Sequence, residues 1–445
     1  MVNLMNKKYI SAMIILLSFL LASCSIQDSS PSKTADTSNP SSVMVSEATS
    51  DEKKDNSEPD SDKKDSDITS NPNSEEKEED KETETVAINK DSQIYVRRDT
   101  DGTDNGFNTL IEMMNQNDEP FYQTSDTPNG IVARNDIILL FYNGQWNGRG
   151  GTNTDLINSV VEAIAAHPDG FDGEIIIADS GQGDGDLDHA QANSANRDQS
   201  VLDVVNKQKH LGVRVSGYLW DDIMDIEVSE FDEGDDKDGY VVEPGISEST
   251  KLVISYPKFT TEYGTKISVK NGVWNGENYD SDIVKLINMP ILKSHWLYRA
   301  TACVKNYMGM PSQNLSSKAG GDPHNSVALG SMGEMMARSR MPSLNILDMI
   351  YIGARGGPWL TYDEASDYFA IAASTDPFAL DYWAVKNVLM PEAKKVGNSN
   401  AEAMNPDSNV PGSFGHWMSL ALGEIQKAGY ENFVFGDDSV AVHEK

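Results

Sequence analysis

Cysteine is nearly absent: the 445 residues hold two, Cys24 and Cys303. That excludes a four-cysteine zinc site and an iron–sulfur cluster. Positive charge is scarce as well. Lys and Arg number 36 against 70 Asp and Glu, a formal net charge of −34. A chain this acidic lacks the electrostatic footprint that nucleic acid or an anionic lipid surface requires. The apolar stretch from Tyr9 to Leu21 has the length of a signal-peptide core. It falls short of the roughly 20 residues of a comfortable membrane span. No internal repeat is visible.

What is present at the start reads as an address. Lys7 and Lys8 precede the apolar core, which ends in Leu21-Ala22-Ser23-Cys24, a sequence similar to a bacterial lipobox. This predicts a lipoprotein signal over 1–23. Cys24 would be lipidated and anchor the mature protein in the cell membrane, on the extracytoplasmic side. Cys303 is then left without an internal disulfide partner. Residues 24–90, typified by SEEKEEDKETET, read as a disordered acidic linker rich in Ser, Asp, Glu and Lys. Its charges repel one another, which suits a spacer. Residues 25–90 hold 18 acids and 8 bases and the signal two lysines, which leaves 91–445 at −26. The acidity therefore belongs to the folded part too, and that part is long enough for a single large domain.

DIILLFYN (136–143), GEIIIADSG (173–181), VRVSGYL (213–219), KLVISYP (251–257), IVKLINMP (283–290), LNILDMIYIG (344–353) and YFAIAAS (368–374) are short apolar runs that predict buried strands. Between the first two, TDLINSVVEAIAAH (154–167) puts its apolar residues on one helical face, with Asp155 in the first turn. SVLDVVNKQKHLG (200–212) predicts a helix closed by Gly212. In STDPFALDYWAVKNVLM (374–390), Asp376 suits an N-cap and Pro377 the first helical position. A last helix is expected over about 415–428 and a final strand at NFVF (432–435). The alternation predicts an α/β fold with a mostly parallel central sheet flanked by helices. KISVKNGVW (266–274), with Asn271-Gly272 at its turn, predicts a β-hairpin excursion around 257–280.

Sites in open α/β sheets form at the carboxyl ends of strands. Three predicted ends carry chemistry: Asp179-Ser180-Gly181, the run from Pro290 onward, and Ser374-Thr375-Asp376. The second reverses the local charge. From Ile283 to Gly321 there are five Lys or Arg and no Asp or Glu. Lys293, Arg299 and Lys305 alternate with Ile, Leu, Trp, Tyr, Val and Met, so this segment should be half buried and its cations should need partners. Those partners are either internal acids, such as Asp179, Asp348 or Asp376, or a bound anion. A helix over 299–308 would put Thr301 and Lys305 on one face and Ala302 and Asn306 on another. Cys303 reads as a core thiol. GDGDLDH (183–189) sets Asp184, Asp186 and Asp188 at calcium-loop spacing. His189 and Ala195 at the sixth and twelfth positions exclude an EF-hand, which leaves weak binding of a divalent cation. His324, after a Gly pair in GGDPHNSVALG, is either a site residue carried on a loop or a surface histidine. The RGG run at 149–151, near a helix start, is a candidate anion cradle.

INMPILKSHWLYRATACVKNYMGM (287–310) resembles the signature of the domain of unknown function family numbered 362, through Pro290, Lys293, His295, Thr301, Lys305, Asn306 and Gly309. LNILDMIYIGARGGP resembles a second family stretch, with Asp348, Gly357 and Pro358. ASTDPFALDYWA resembles a third, with Asp376, Pro377, Ala379 and Asp381. The resemblance runs from about 135 to 390. It implies an α/β fold and these positions as site residues, but no settled reaction. Two departures stand out. The family's first strand ends in a lysine-containing run, and Leu140-Phe141-Tyr142-Asn143 has no lysine. Relatives with ferredoxin-type cysteine runs have no counterpart here, so an electron-transfer role is not carried over.

Three functional readings follow. In the first, an enzyme acts on a small anionic substrate. Lys293, Arg299 and Lys305 hold the anion and His295 is the acid/base. Asp179 or Asp376 orients His295 or binds a divalent cation, and Asn143, Thr301, Asn306, His324 and Asp348 complete the site. In the second, the same pocket captures a solute or a surface component without chemistry. In the third, the motif residues only pair with one another.

Overall fold

The computed structural model describes residues 91–445; the predicted signal, Cys24 and the predicted linker lie outside the described residues. Among the described residues the strands are β1 (Ser92–Arg98), β2 (Ile137–Tyr142), β3 (Glu174–Asp179), β4 (Val215–Leu219), β5 (Glu227–Val228), β6 (Gly239–Ile246), β7 (Val253–Thr260), β8 (Lys266–Ser268), β9 (Gly272–Trp274), β10 (Tyr279–Asp280), β11 (Val284–Met289), β12 (Ile291–His295), β13 (Arg299–Thr301), β14 (Leu344–Gly353), β15 (Ser366–Ser374) and β16 (Val440–Glu444). The α-helices are α1 (Gly106–Gln116), α2 (Thr154–Ala165), α3 (Val201–His210), α4 (Cys303–Asn306), α5 (Gln313–Ser316), α6 (Ser331–Arg338), α7 (Pro377–Ala384), α8 (Met390–Lys395) and α9 (Phe414–Lys427).

The main sheet has ten strands. Eight follow the order β16-β1-β15-β14-β11-β2-β3-β4, with β12 and β13 attached beside β14. From β14 to β4 every pairing is parallel. The runs IILLFY and EIIIAD are buried at every position, as strands covered on both faces must be. Alternate residues serve opposite layers. Ile138, Leu140, Ile175 and Ile177 pack with α1, α2 and α3. Leu139, Phe141, Ile176 and Ala178 pack with the second layer, which includes α6, α7 and α9. The expected hairpin is present as β8–β9, but it belongs to a larger excursion: a separate sheet of six strands, β5 to β10.

Pro290 shapes the centre of the main sheet. It separates β11 from β12 and has no N–H to offer a neighbour. Before it, β11 lies between β2 and β14. After it, β12 pairs with β14 on one side and turns back through β13 on the other. β2 ends at Tyr142, opposite Met289. The chain beyond Pro290 therefore rises past the carboxyl ends of β2 and β3 and walls a space above them.

Three expectations are corrected. The segment predicted as a helix over 299–308 begins as strand β13, and α4 is a single short turn. NFVF (432–435) is not a strand; the C-terminal strand is β16, beside β1. The third correction concerns direction. β15 runs antiparallel to β14, so Ser374 pairs with Asn345 at the start of β14 rather than sharing the end where β2 and β3 stop. No helix carries the chain from β14 to β15, and a parallel return needs such a crossover.

Asp376 is accordingly a structural anchor. Its carboxylate accepts from the N–H of Phe378 and Ala379, capping α7. It also accepts from Ser92 Oγ at 2.6 Å and from the N–H of Val434 at 2.9 Å. Asp376→Ala leaves buried donors unpaired in three segments and should cost about 2 kcal/mol or more. Asp376→Asn should recover part of that loss. Urea unfolding midpoints check both; an unchanged midpoint for the alanine variant would contradict the anchoring role.

Candidate functional site

The β12–β13 hairpin sets the site. Residues two apart on a strand share a face, which puts Lys293 and His295 on one side of β12. Across the hairpin Lys293 faces Thr301 and His295 faces Arg299. Lys293 also lies level with Gly353 on β14, where a Cβ would come within 2.7 Å of the Lys293 Cβ. Arg299 has φ +73°, a left-handed conformation rare for a long side chain. Its guanidinium donates to the carbonyls of Gly412 and Trp296 and to Asn400 Oδ1. α4 is fixed at its start by the Asp381 carboxylate, which accepts from Cys303 N at 2.7 Å and Val304 N at 2.9 Å. Cys303 is fully buried, and Lys305 and Asn306 follow within the same turn.

A cleft of about 310 Å³ lies above these elements. Eight of the residues singled out in the sequence line it: Asn143, Lys293, His295, Thr301, Lys305, Asn306, His324 and Pro358. No Asp or Glu does. Lys293, 1% exposed, donates to Asn143 Oδ1 and to the carbonyl of Gly150. The RGG loop thus presents an acceptor to the site. Lys305, 6% exposed, lies 5.4 Å from the Tyr298 ring centre. Among the described residues its ammonium has neither an ion pair nor a hydrogen-bond acceptor. The Thr301 hydroxyl is also buried without a partner.

Burial without counter-charge lowers both amines. Lys293 is pushed down to about 7 by desolvation and then by the Lys305 charge, with Asp179 opposing. Lys305 is pushed down to about 7 by desolvation. His324 falls to about 4 through burial and the Lys305 charge. His295 is lowered further, by burial first and then by Lys305 and His324. Its Nδ1 accepts from the N–H of Leu297 at 3.1 Å and of Tyr298 at 3.2 Å. A neutral ring with Nδ1 so engaged carries its proton on Nε2. His295 is thereby arranged as a hydrogen-bond donor rather than as a base.

Asp179, Arg299, Asp348 and Asp376 stay out of the cleft. Asp179 lies beneath it, accepting from the N–H of Gly144 and Gly181. Burial pushes it up to about 7 against those bonds and the Lys293 charge. Gly309 packs on it so closely that a Cβ there would sit 2.1 Å from Asp179 Oδ1. Asp348 accepts from the N–H of Asn153 and Ile350, holding the start of α2 to β14. Arg299 and Asp376 are engaged as described. Asp184, Asp186 and Asp188 are exposed, and among the described residues no three His, Cys, Asp or Glu are grouped to hold a metal.

The sequence reading missed Gln145, Trp146, Gln182, Trp296, Gln313 and Trp359, which also line the cleft. It missed Asn288 and Asn345, which join the amides behind it: Asn306 donates to Asn288 and Asn288 to Asn345, each at 2.9 Å. An asparagine inside an apolar strand, as in IVKLINMP and LNILDMIYIG, was the available signal.

A lysine held near 7 destabilises the folded state, because unfolding returns it to its ordinary value of 10.5. The cost is full below about pH 7 and fades as pH rises toward 10.5. Lys305→Met should therefore raise the melting temperature at pH 7 and lose that advantage by about pH 10. Calorimetry across pH reads this directly. A lysine serving a structural ion pair would give the opposite sign.

No curated protein and no solved structure matches the chain. Residues 275–386 match the family model described as Domain of unknown function (DUF362). The matched stretch carries Lys293, His295, Thr301, Lys305, Asn306 and His324, while Asn143 lines the cleft and Asp179 lies beneath it from outside that stretch. Over this stretch the chain is similar to the DUF362 family.

Proposed function

We propose that the cleft binds a small anionic ligand, with Lys305 and Lys293 as its cationic floor. One observation carries the reading: an almost fully buried ammonium, Lys305, faces a cavity with no acidic lining and no acceptor of its own. A buried, unpaired charge is expensive, and an anion's oxygens would supply what is missing through short, charge-assisted hydrogen bonds. The buried Thr301 hydroxyl and the Nε2–H of His295 offer further donors.

The arrangement favours capture over acid/base chemistry at His295, since that ring is neutral and donates. A second reading is supported by Lys305. An amine held near 7 is suited to carry a proton in a reaction. In that case Lys305 takes the role the sequence suggested for His295, and the bound ligand is converted rather than returned unchanged.

Sulfate, whose charge is constant across this range, is a suitable probe. Binding requires protonated lysines, so affinity should be greatest below about pH 7 and fall as pH rises through it. Above pH 7 binding should take up protons, seen as a titration heat that depends on the buffer. Lys305→Met and Lys293→Met should each weaken sulfate by about tenfold or more. Sulfate binding that ignores both pH and these substitutions would sink the proposal.

A further inference from the structure

The mouth of the cleft differs in character from its floor. Trp296 and Trp359 are 57% and 55% exposed, and an indole left in water is an uncommon use of a large apolar surface. Both line the cationic cleft, and both also line a second cavity of about 380 Å³ that continues outward to Arg355 and Glu364. A ligand whose charge reaches Lys305 therefore leaves the site past two indoles and enters an outer cleft that carries Arg355 and Glu364 beside them. Trp296 is held nearly parallel to the His295 ring, at 13° and 6.3 Å. Trp359 is supported by Trp146, with ring centres 5.9 Å apart at 64°. Each indole thus packs against a neighbouring ring of the cleft wall.

The inner wall adds three amides, Gln145, Gln182 and Gln313. Gln313 Nε2 donates to Gln182 Oε1 at 3.5 Å, which turns the Gln182 NH₂ and the Gln313 oxygen to other partners and, with Gln145, suits adjacent hydroxyls that both give and receive hydrogen bonds. An indole face accepts the C–H face of a sugar or a flat aromatic ring alike, and the three amides favour the ligand that carries hydroxyls. An indole face in contact with C–H groups, and amides in contact with hydroxyls, are what a saccharide ring requires.

We infer that the ligand is an anionic saccharide: a sugar carrying a phosphate or carboxylate that sits on Lys293 and Lys305, with its ring against Trp296 and Trp359 and its continuation in the outer cleft. This inference rests on the anion-binding reading above and adds the class of molecule that carries the charge.

Calorimetric titration of the full chain with matched probes tests it. Glucose 6-phosphate is compared with inorganic phosphate, and glucuronate with acetate; phenyl phosphate and glucose serve as controls. At least one sugar anion should bind about tenfold more tightly than its bare anion, and which one does so identifies the charged group. The double variant Trp296→Ala, Trp359→Ala should lose that gain while binding the bare anion as wild type does. Both side chains are largely exposed, and an unchanged melting temperature confirms that the variant folds. Equal affinity for sugar anion and bare anion overturns the saccharide assignment alone. So does phenyl phosphate binding as tightly as glucose 6-phosphate, or a double variant that keeps the full gain. If no probe anion binds wild-type protein, the anion-binding reading falls and the saccharide assignment with it.

Discussion

A relay of buried amides holds the site together. Lys293 donates to Asn143, Asn143 to Asn306 at 3.0 Å, Asn306 to Asn288, Asn288 to Asn345, and Asn345 to the carbonyl of Ser374 at 3.1 Å. Each amide turns its oxygen toward the lysine and its NH₂ away from it. The dipoles are therefore aligned head to tail, with the cation at the oxygen end. The relay ties together the end of β2, α4, β11, β14 and β15. Burying so many polar groups is tolerable because each finds a partner. Reversing one amide would set two donors against each other, so the relay permits one arrangement of these elements.

Around this relay, the acids of the motif serve the backbone. Asp179, Asp348, Asp376 and Asp381 each accept from main-chain N–H groups at a turn or helix start. None of them lines the cleft. The division of labour is clear: carboxylates shape the loops and helix starts, and the lysines are left to face the cavity. The two families of expected partners for the cations, internal acids and an external anion, are separated by geometry rather than by residue type.

Much of the fold was legible because burial leaves a plain mark on sequence. IILLFY, EIIIAD and LNILDMIYIG read as strands through their continuous apolar character, and Asp376-Pro377 read as a helix start through capping chemistry. Strand direction was not legible in the same way. The apolar run of β15 would look identical in either direction, and only the connection from β14 decides it. β13 was hidden because Arg299 to Asn306 tolerates a helical spacing, whereas the positive φ of Arg299 belongs to the turn of a hairpin. Of the site, the cationic face of β12 and α4 could be found from its lack of acids. The tryptophans and glutamines could not, because they come from separated loops and carry no pattern of their own.

The contrast between surface and floor has a kinetic consequence. The described part of the chain carries a formal −26, while the cleft presents cations only at its base. An approaching anion meets repulsion at long range and attraction only once inside. Mobile ions weaken fields beyond about 8 Å at physiological ionic strength, so moderate salt screens the outer repulsion more than the enclosed attraction. Capture of a charged ligand should thus quicken as salt is first added, the reverse of electrostatic steering. The protein would discriminate by commitment: a ligand must enter the cleft before its charge becomes an advantage.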